Sequence, residues 1–201
     1  MTKQQIKQRR WYKFLYALAW PLVKIFYSCK VYGLENIPEG PAILCPLHSN
    51  LPDPFFISIA MGWNTFCHHM AKFETRKIFF LGWVMEKMGS IFVHRGEQDI
   101  ESYKSSVRAL QAGEKLMIFP EGTRVHGDDF VPAKTGVIRM AATTHVPIVP
   151  IYMPRDKKVF HRFPLVFGKP YYIEKVGKKD YERLAQELLD KMWALKEEAH
   201  D

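Results

Sequence analysis

Residues 42–62 read AILCPLHSNLPDPFFISIAMG. The run AILC (42–45) is short and apolar and stops at a proline, the pattern of a buried strand. Residues 55–61 carry an apolar helical pattern that Gly62 ends. Pro46, Pro52 and Pro54 stand between the two, so neither element extends through the other. The stretch is a strand, a tight loop and a helix, and the chain continues in that alternation. Further strands are expected at 31–34, 65–70, 90–93, 116–119, 146–153 and 165–172. Further helices are expected at 75–88, 99–111, 136–144 and 181–196, with Asp180 capping the last. Short apolar strands alternating with helices predict an α/β fold, a single domain around a central, mostly parallel twisted sheet flanked by helices.

Within the loop, His48 and Asp53 are five residues apart. On one continuous helix that spacing rotates the second side chain by about 500°, so the two point away from each other. They meet only across a turn, and the prolines supply one. Asp followed by Pro predicts a helix start with Asp53 as N-cap and Pro54 at the first helical position. One carboxylate oxygen is then expected to cap the helix while the other accepts from the imidazole. That bond would set the tautomer and leave the second ring nitrogen as a general base. From the spacing alone, a plain Asp-Pro cap beside a loop histidine accounts for the residues equally well. Ser49 is no nucleophile candidate, since the chain lacks a GxSxG elbow here.

Three other stretches place charge at expected strand ends. FPEGTR (119–124) sets Gly122, Thr123 and Arg124 at the carboxyl edge of a sheet, where ligands bind in open α/β folds. An Arg beside free backbone N–H groups suits a phosphate, with Glu121 positioning the loop or orienting Arg124. SIFVHR (90–95) puts Arg95 just past a strand, and AKTG (133–136) puts Lys134 ahead of a helix. Each alone reads as a solvated surface charge; together Arg95, Arg124 and Lys134 are expected near one edge of the sheet, where they would suit a dianion.

The bulk properties narrow the partners. The 201 residues suit one domain, and a formal charge of +8 favours an anionic partner. Basic residues are spread out and no nucleic-acid module is present, so nucleic acid is disfavoured. Three widely spaced cysteines, Cys29, Cys45 and Cys67, predict neither a disulfide framework nor a zinc site, and they suit a reducing compartment. The histidines show no ligand spacing, so no metal is expected.

Residues 1–30 differ from the rest. MTKQQIKQRR is polar and basic and shows no signal-peptide cleavage pattern. The apolar run after it is interrupted by Pro21 and Lys24 and is too short for a spanning helix of about 20 residues. Trp11, Tyr12, Tyr16, Trp20 and Tyr27 interleave with Lys7, Arg9, Arg10, Lys13, Lys24 and Lys30. That mixture predicts a helix lying in the headgroup region of an anionic leaflet. The alternative is an aromatic helix packed on the domain's own core. The expected division is a membrane-association segment at 1–30 and a catalytic domain at 31–201.

Four ordered stretches, HSNLPD, GSIFVHR, FPEGTR and VPIVPI (146–151), together resemble the glycerolipid acyltransferases, specifically the 1-acyl-sn-glycerol-3-phosphate acyltransferases. The resemblance covers roughly residues 31–175. It implies transfer of an acyl chain from acyl-CoA or acyl carrier protein to the 2-hydroxyl of lysophosphatidate, with no further cofactor. It implies that His48 is the base, that Asp53 orients it, and that Arg95, Glu121, Gly122, Thr123, Arg124 and Lys134 bind the acceptor. VPIVPI is expected as a core strand. Backbone N–H groups of the helix after Asp53 are candidate oxyanion donors. The implied location is the cytoplasmic face of a membrane, peripheral or monotopic. Leu47 stands where the family often has Asn, and His94 where it often has Asp. Two alternatives stay open: a different acceptor, such as glycerol-3-phosphate or another lysophospholipid, and a non-enzymatic basic membrane binder.

Overall fold

The strand, loop and helix at 42–62 form as read, and a seven-stranded sheet is built around them in the computed structural model. It describes residues 2–94, 99–127, 129–174 and 177–200. In chain order the elements are α1 (Lys3–Phe26), β1 (Ser28–Tyr32), β2 (Ile43–Pro46), α2 (Asp53–Met61), β3 (Cys67–Lys72) and α3 (Phe79–Lys87). They continue with β4 (Ile91–Val93), α4 (Ile100–Gln111), β5 (Lys115–Met117), α5 (Gly136–Thr144), β6 (Ile148–Tyr152), β7 (Arg162–Phe167) and α6 (Tyr181–Ala194).

The strand order is β1-β7-β6-β2-β5-β3-β4. Strand pairs are parallel except β6 with β7. The exception follows from the connection: a loop, not a helix, joins β6 to β7, so the chain turns back on itself. Strand β7 ends earlier than the sequence pattern suggested, and Tyr171 rejoins the sheet only through a bridge to Ile148. Alternate residues from Ala42, just before β2, through Cys45 serve opposite cores. Ile43 and Cys45 pack with Ile138 of α5 and Leu188 of α6, while Ala42 and Leu44 pack with Ile57 of α2.

The register places the site. Ile43 of β2 is level with Leu116 of β5 on one side and with Ile148 of β6 on the other. The loops leaving these three central strands therefore open at the same edge, which is where a ligand binds in an open α/β sheet.

The N-terminal segment serves the core and solvent at once. Helix α1 runs unbroken through Pro21 and starts in a capping box between Thr2 and Gln5. Tyr12 and Leu15 are buried against Phe66, Val84 and Met88, and Arg9 pairs with the buried Glu114 at 2.9 Å. So Tyr12 lies in the core, not in a headgroup layer, and Tyr16 donates to the Ile59 carbonyl at 3.0 Å. The stripe Phe14, Leu18, Leu22 and Ile25 faces outward. The segment expected as one helix at 75–88 opens instead with a 3-10 turn (Phe73–Lys77), and Ile78 and Phe79 point outward. Gly82 lets α3 fold against that turn, since a Cβ there would lie 2.1 Å from the Arg76 carbonyl oxygen. Among the described residues, no helix is long and apolar enough to cross a membrane.

Candidate active site

The loop after β2 does bring His48 and Asp53 together. His48 Nδ1 lies 3.0 Å from Asp53 Oδ2. The same oxygen accepts the backbone N–H groups of Ser49 and Asn50, each at 2.8 Å. An ionised carboxylate only accepts, so Nδ1 carries a proton, and in the neutral ring the lone pair is then on Nε2. Burial pushes the Asp53 carboxyl upward, but the His48 bond, the Lys157 charge and the two backbone N–H groups outweigh it and hold it below the ordinary carboxylate value.

Capping differs from the expected pattern. Pro52 is the N-cap, Asp53 the first helical residue and Pro54 the second, and the Asp53 side chain caps no N–H of its own helix. Its carboxylate is turned back into the loop instead. The expected oxyanion donors at this helix start are also taken. The N–H of Asp53 bonds the Asn50 carbonyl, Pro54 has none, and those of Phe55 and Phe56 bond the Pro52 carbonyl.

The loop after β5 is stitched to the histidine loop. Glu121 Oε2 accepts the His48 backbone N–H at 2.8 Å, and the Val125 N–H donates to the His48 carbonyl at 2.8 Å. The imidazole stacks on Phe119, with ring centres 3.9 Å apart. Gly122 sits at φ +67°, and a Cβ there would come within 3.2 Å of Lys134 Cγ. The Lys134 stem thus lies over the Gly122 turn, and its backbone N–H bonds the Pro120 carbonyl at 2.8 Å. Gly122, Thr123, Arg124 and Lys134 are thereby gathered beside the His48 loop, with Arg124 and Lys134 exposed. Glu121 is buried, and its other oxygen pairs with Arg155 at 2.6 Å. It positions the loop, as one of the two sequence readings had it, and its partner is Arg155.

Arg95 lies outside the described residues. The preceding His94 stacks on Phe73 and donates its backbone N–H to Asp99. It leaves β4, the edge strand, which is separated from β2 by β5 and β3. Three strand spacings make about 14 Å.

Two site residues were missed in the sequence. Arg155 and Lys157 follow β6 in the stretch PRDKK. Besides Glu121, Arg155 donates to the carbonyls of Gly127 and Asp129 at 3.1 and 2.6 Å. Lys157 bonds Ser49 Oγ and the Pro154 carbonyl at 2.8 and 2.7 Å, and its ammonium lies 3.1 Å from Asp53 Oδ1. The strand-end rule that singled out Arg95 and Arg124 applies equally to these two. Ser49 Oγ donates to the Arg155 carbonyl, so this hydroxyl is a buried connector, in line with its exclusion as a nucleophile.

His48, oriented by Asp53, thus lies between two loops at the carboxyl edge of a mostly parallel sheet, with the basic side chains of Arg124 and Lys134 alongside. A model of the acyltransferase family matches residues 28–154, and the chain belongs to that family. Within it the chain belongs with the 1-acyl-sn-glycerol-3-phosphate acyltransferases: that protein of Bacillus subtilis is 30% identical over 169 residues, 80% of this chain and 82% of its own length. The chloroplastic enzyme of Brassica napus is 28% identical over 76% of this chain, and that of Saccharomyces cerevisiae is 27% identical over 81%. The chain spans 45% and 58% of those two proteins. The crystal structure of the 1-acyl-sn-glycerophosphate acyltransferase PlsC from Thermotoga maritima shares the fold. Its TM-score is 0.71 at 20% identity, over all of this chain and 85% of that one.

Proposed function

We propose that the protein transfers a fatty acyl chain from an acyl-CoA or acyl carrier protein thioester to the 2-hydroxyl of lysophosphatidate, forming phosphatidate. The observation that carries this reading is the ionised Asp53 holding His48 Nδ1–H, which leaves Nε2 as a base beside the basic loop of Arg124 and Lys134. Nε2 takes the proton of the acceptor hydroxyl as its oxygen attacks the thioester carbonyl. The tetrahedral intermediate collapses, the C–S bond breaks, and the departing thiolate recovers the proton from the imidazolium. No acyl-enzyme is needed, because a thioester is already activated and the protein supplies a base and positioning.

The acceptor phosphate is assigned to Arg124, Lys134 and the backbone around Gly122 and Thr123, with Arg95 as a further contributor. Glu121 acts through the loop it buries beneath. The protein works on an anionic membrane surface, at the cytoplasmic face. The outward stripe of α1 supports this, as do its neighbours Phe79, Phe80 and Trp83 on α3, which are exposed beside Lys77 and Lys87.

The test is a matrix of purified protein with acyl-CoA or acyl carrier protein as donor. The acceptors are lysophosphatidate, glycerol-3-phosphate and a neutral lysophospholipid. Phosphatidate from lysophosphatidate is expected, with His48→Ala losing about 10²- to 10⁴-fold in rate while remaining folded. Preferred acylation of another acceptor, no thioester consumption, or a His48→Ala rate near wild type would each overturn the reading.

A further inference from the structure

Lys157 is the most deeply buried cation among the described ion pairs. Its side chain is 1% exposed and that of Asp53 is 0%. Lysine is almost never buried to this extent unless it is paired, because dehydrating an ammonium costs several kcal/mol. A surface lysine would have served equally well to fasten a loop. The cost points to a task at the place where the charge is held.

That place is the carboxylate behind the histidine. Asp53 divides its oxygens: Oδ2 holds His48 Nδ1–H and two backbone N–H groups, and Oδ1 faces the Lys157 ammonium at 3.1 Å. Among the described residues no well-aligned hydrogen bond reaches Oδ1, so the contact there is chiefly charge on charge. Two of the three ammonium protons go to Ser49 Oγ and the Pro154 carbonyl, which fixes Lys157 to the end of β6 and to the histidine loop together.

We propose that Lys157 is a positioning residue that neutralises Asp53, so that the carboxylate orients His48 without drawing a second proton onto its ring. The proposal rests on His48 being the base. A buried carboxylate facing an imidazole alone favours the imidazolium–carboxylate pair, and an imidazolium is no base. Adding a lysine on the far side makes the Asp–Lys pair neutral overall, and a protonated ring would then be an excess positive charge beside it. The orientation of the ring is kept and the pull on its proton is cancelled.

Among the described residues, three other groups bear on this trio. Cys29 of β1 lies near Lys157, and burial pushes its thiol up to about 11, so it stays neutral. Asp156 adds a negative charge beside Lys157. Glu121 meets the His48 backbone but is itself paired with Arg155. Asp53 and Lys157 thus make up the charge pair directly behind the ring.

The test compares Lys157→Met with Lys157→Arg in the full chain. In the Met variant the acidic limb of the kcat/KM–pH profile is expected to move to higher pH by about one unit, the size a nearby charge produces. Lys157→Arg, which keeps the charge, is expected to leave the limb in place even where the rate drops. NMR titration of the His48 ring should show the same upward displacement in the Met variant. That readout needs no turnover, so it stands apart from any failure of the acyl-transfer reading. Lys157→Gln, which can still donate to Ser49 and Pro154, carries the comparison if thermal melts show the Met variant unfolded. A uniformly lowered rate with an unmoved limb and an unmoved His48 titration would reduce Lys157 to a structural strut and overturn the proposal.

Discussion

His48 is held at four points: its ring by Asp53 and Phe119, its N–H by Glu121 and its carbonyl by the Val125 N–H. In the proposed reaction a base must sit within about 3 Å of the proton it takes, and this bracing is what would hold the imidazole in place for it. The bracing depends on buried charge. Glu121 and Arg155 are 1% and 8% exposed, so removing one partner strands the other without water. Arg155→Met should destabilise the protein by about 3–5 kcal/mol. Combining it with Glu121→Gln should restore much of that loss. Urea melts of the two single variants and the double variant give the coupling, and simple additivity would show that the pair is not the reason.

Helix α1 illustrates how one element answers to two environments. Its inward residues lock it to α2 and α3, while Phe14, Leu18, Leu22 and Ile25 recur at spacings of three and four residues on the outside. Removing residues 1–30 would uncover Phe66, Val84 and Met88, so vesicle binding by that truncation would be confounded with damage to the core. Changing the four outward residues to Gln avoids this. Binding to vesicles containing anionic phospholipid is expected to fall at least tenfold, with the melting temperature preserved. Unchanged sedimentation with such vesicles would assign the stripe elsewhere. Tyr12→Ala, by contrast, should cost about 3–5 kcal/mol in stability. That cost would appear as a lower melting temperature.

At the scale of the whole molecule, acid acts on two buried groups. His69 of β3 is bonded to Ser58 of α2 at 3.0 Å, and burial first, then neighbouring His68, lowers its pKa from 6.5 to about 4. The folded state therefore refuses a proton that the unfolded chain accepts. Stability is unaffected above about pH 6.5, falls as pH drops toward 4, and by then has lost about 3 kcal/mol. Asp53, held low, adds a second loss below about pH 4, as its carboxylate takes up a proton. Urea midpoints measured from pH 7.5 to 4.5 should fall steeply for the wild type and less so for His69→Gln. Equal slopes would place the acid sensitivity in other groups.

The alternation of apolar strands and helices, the loop that forces residues 48 and 53 to meet across a turn, and the charged strand ends were all legible in the chain. These are local properties: periodicity, proline geometry and glycine turns act over a few residues, and neighbours in sequence carry them. Which strand ends lie side by side is not local. Order β6-β2-β5 puts PRDKK against HSNLPD and leaves His94 at the far edge, and no single stretch records that order. The same holds for charge. Lys157 and Asp53 are 104 residues apart, and only the parallel register of β6 on β2 brings an ammonium behind the carboxylate. The sequence by itself determined the α/β fold and the histidine loop. The tertiary structure decided which face of α1 meets the core and which cations the site buries, because both depend on dehydration by residues distant in the chain.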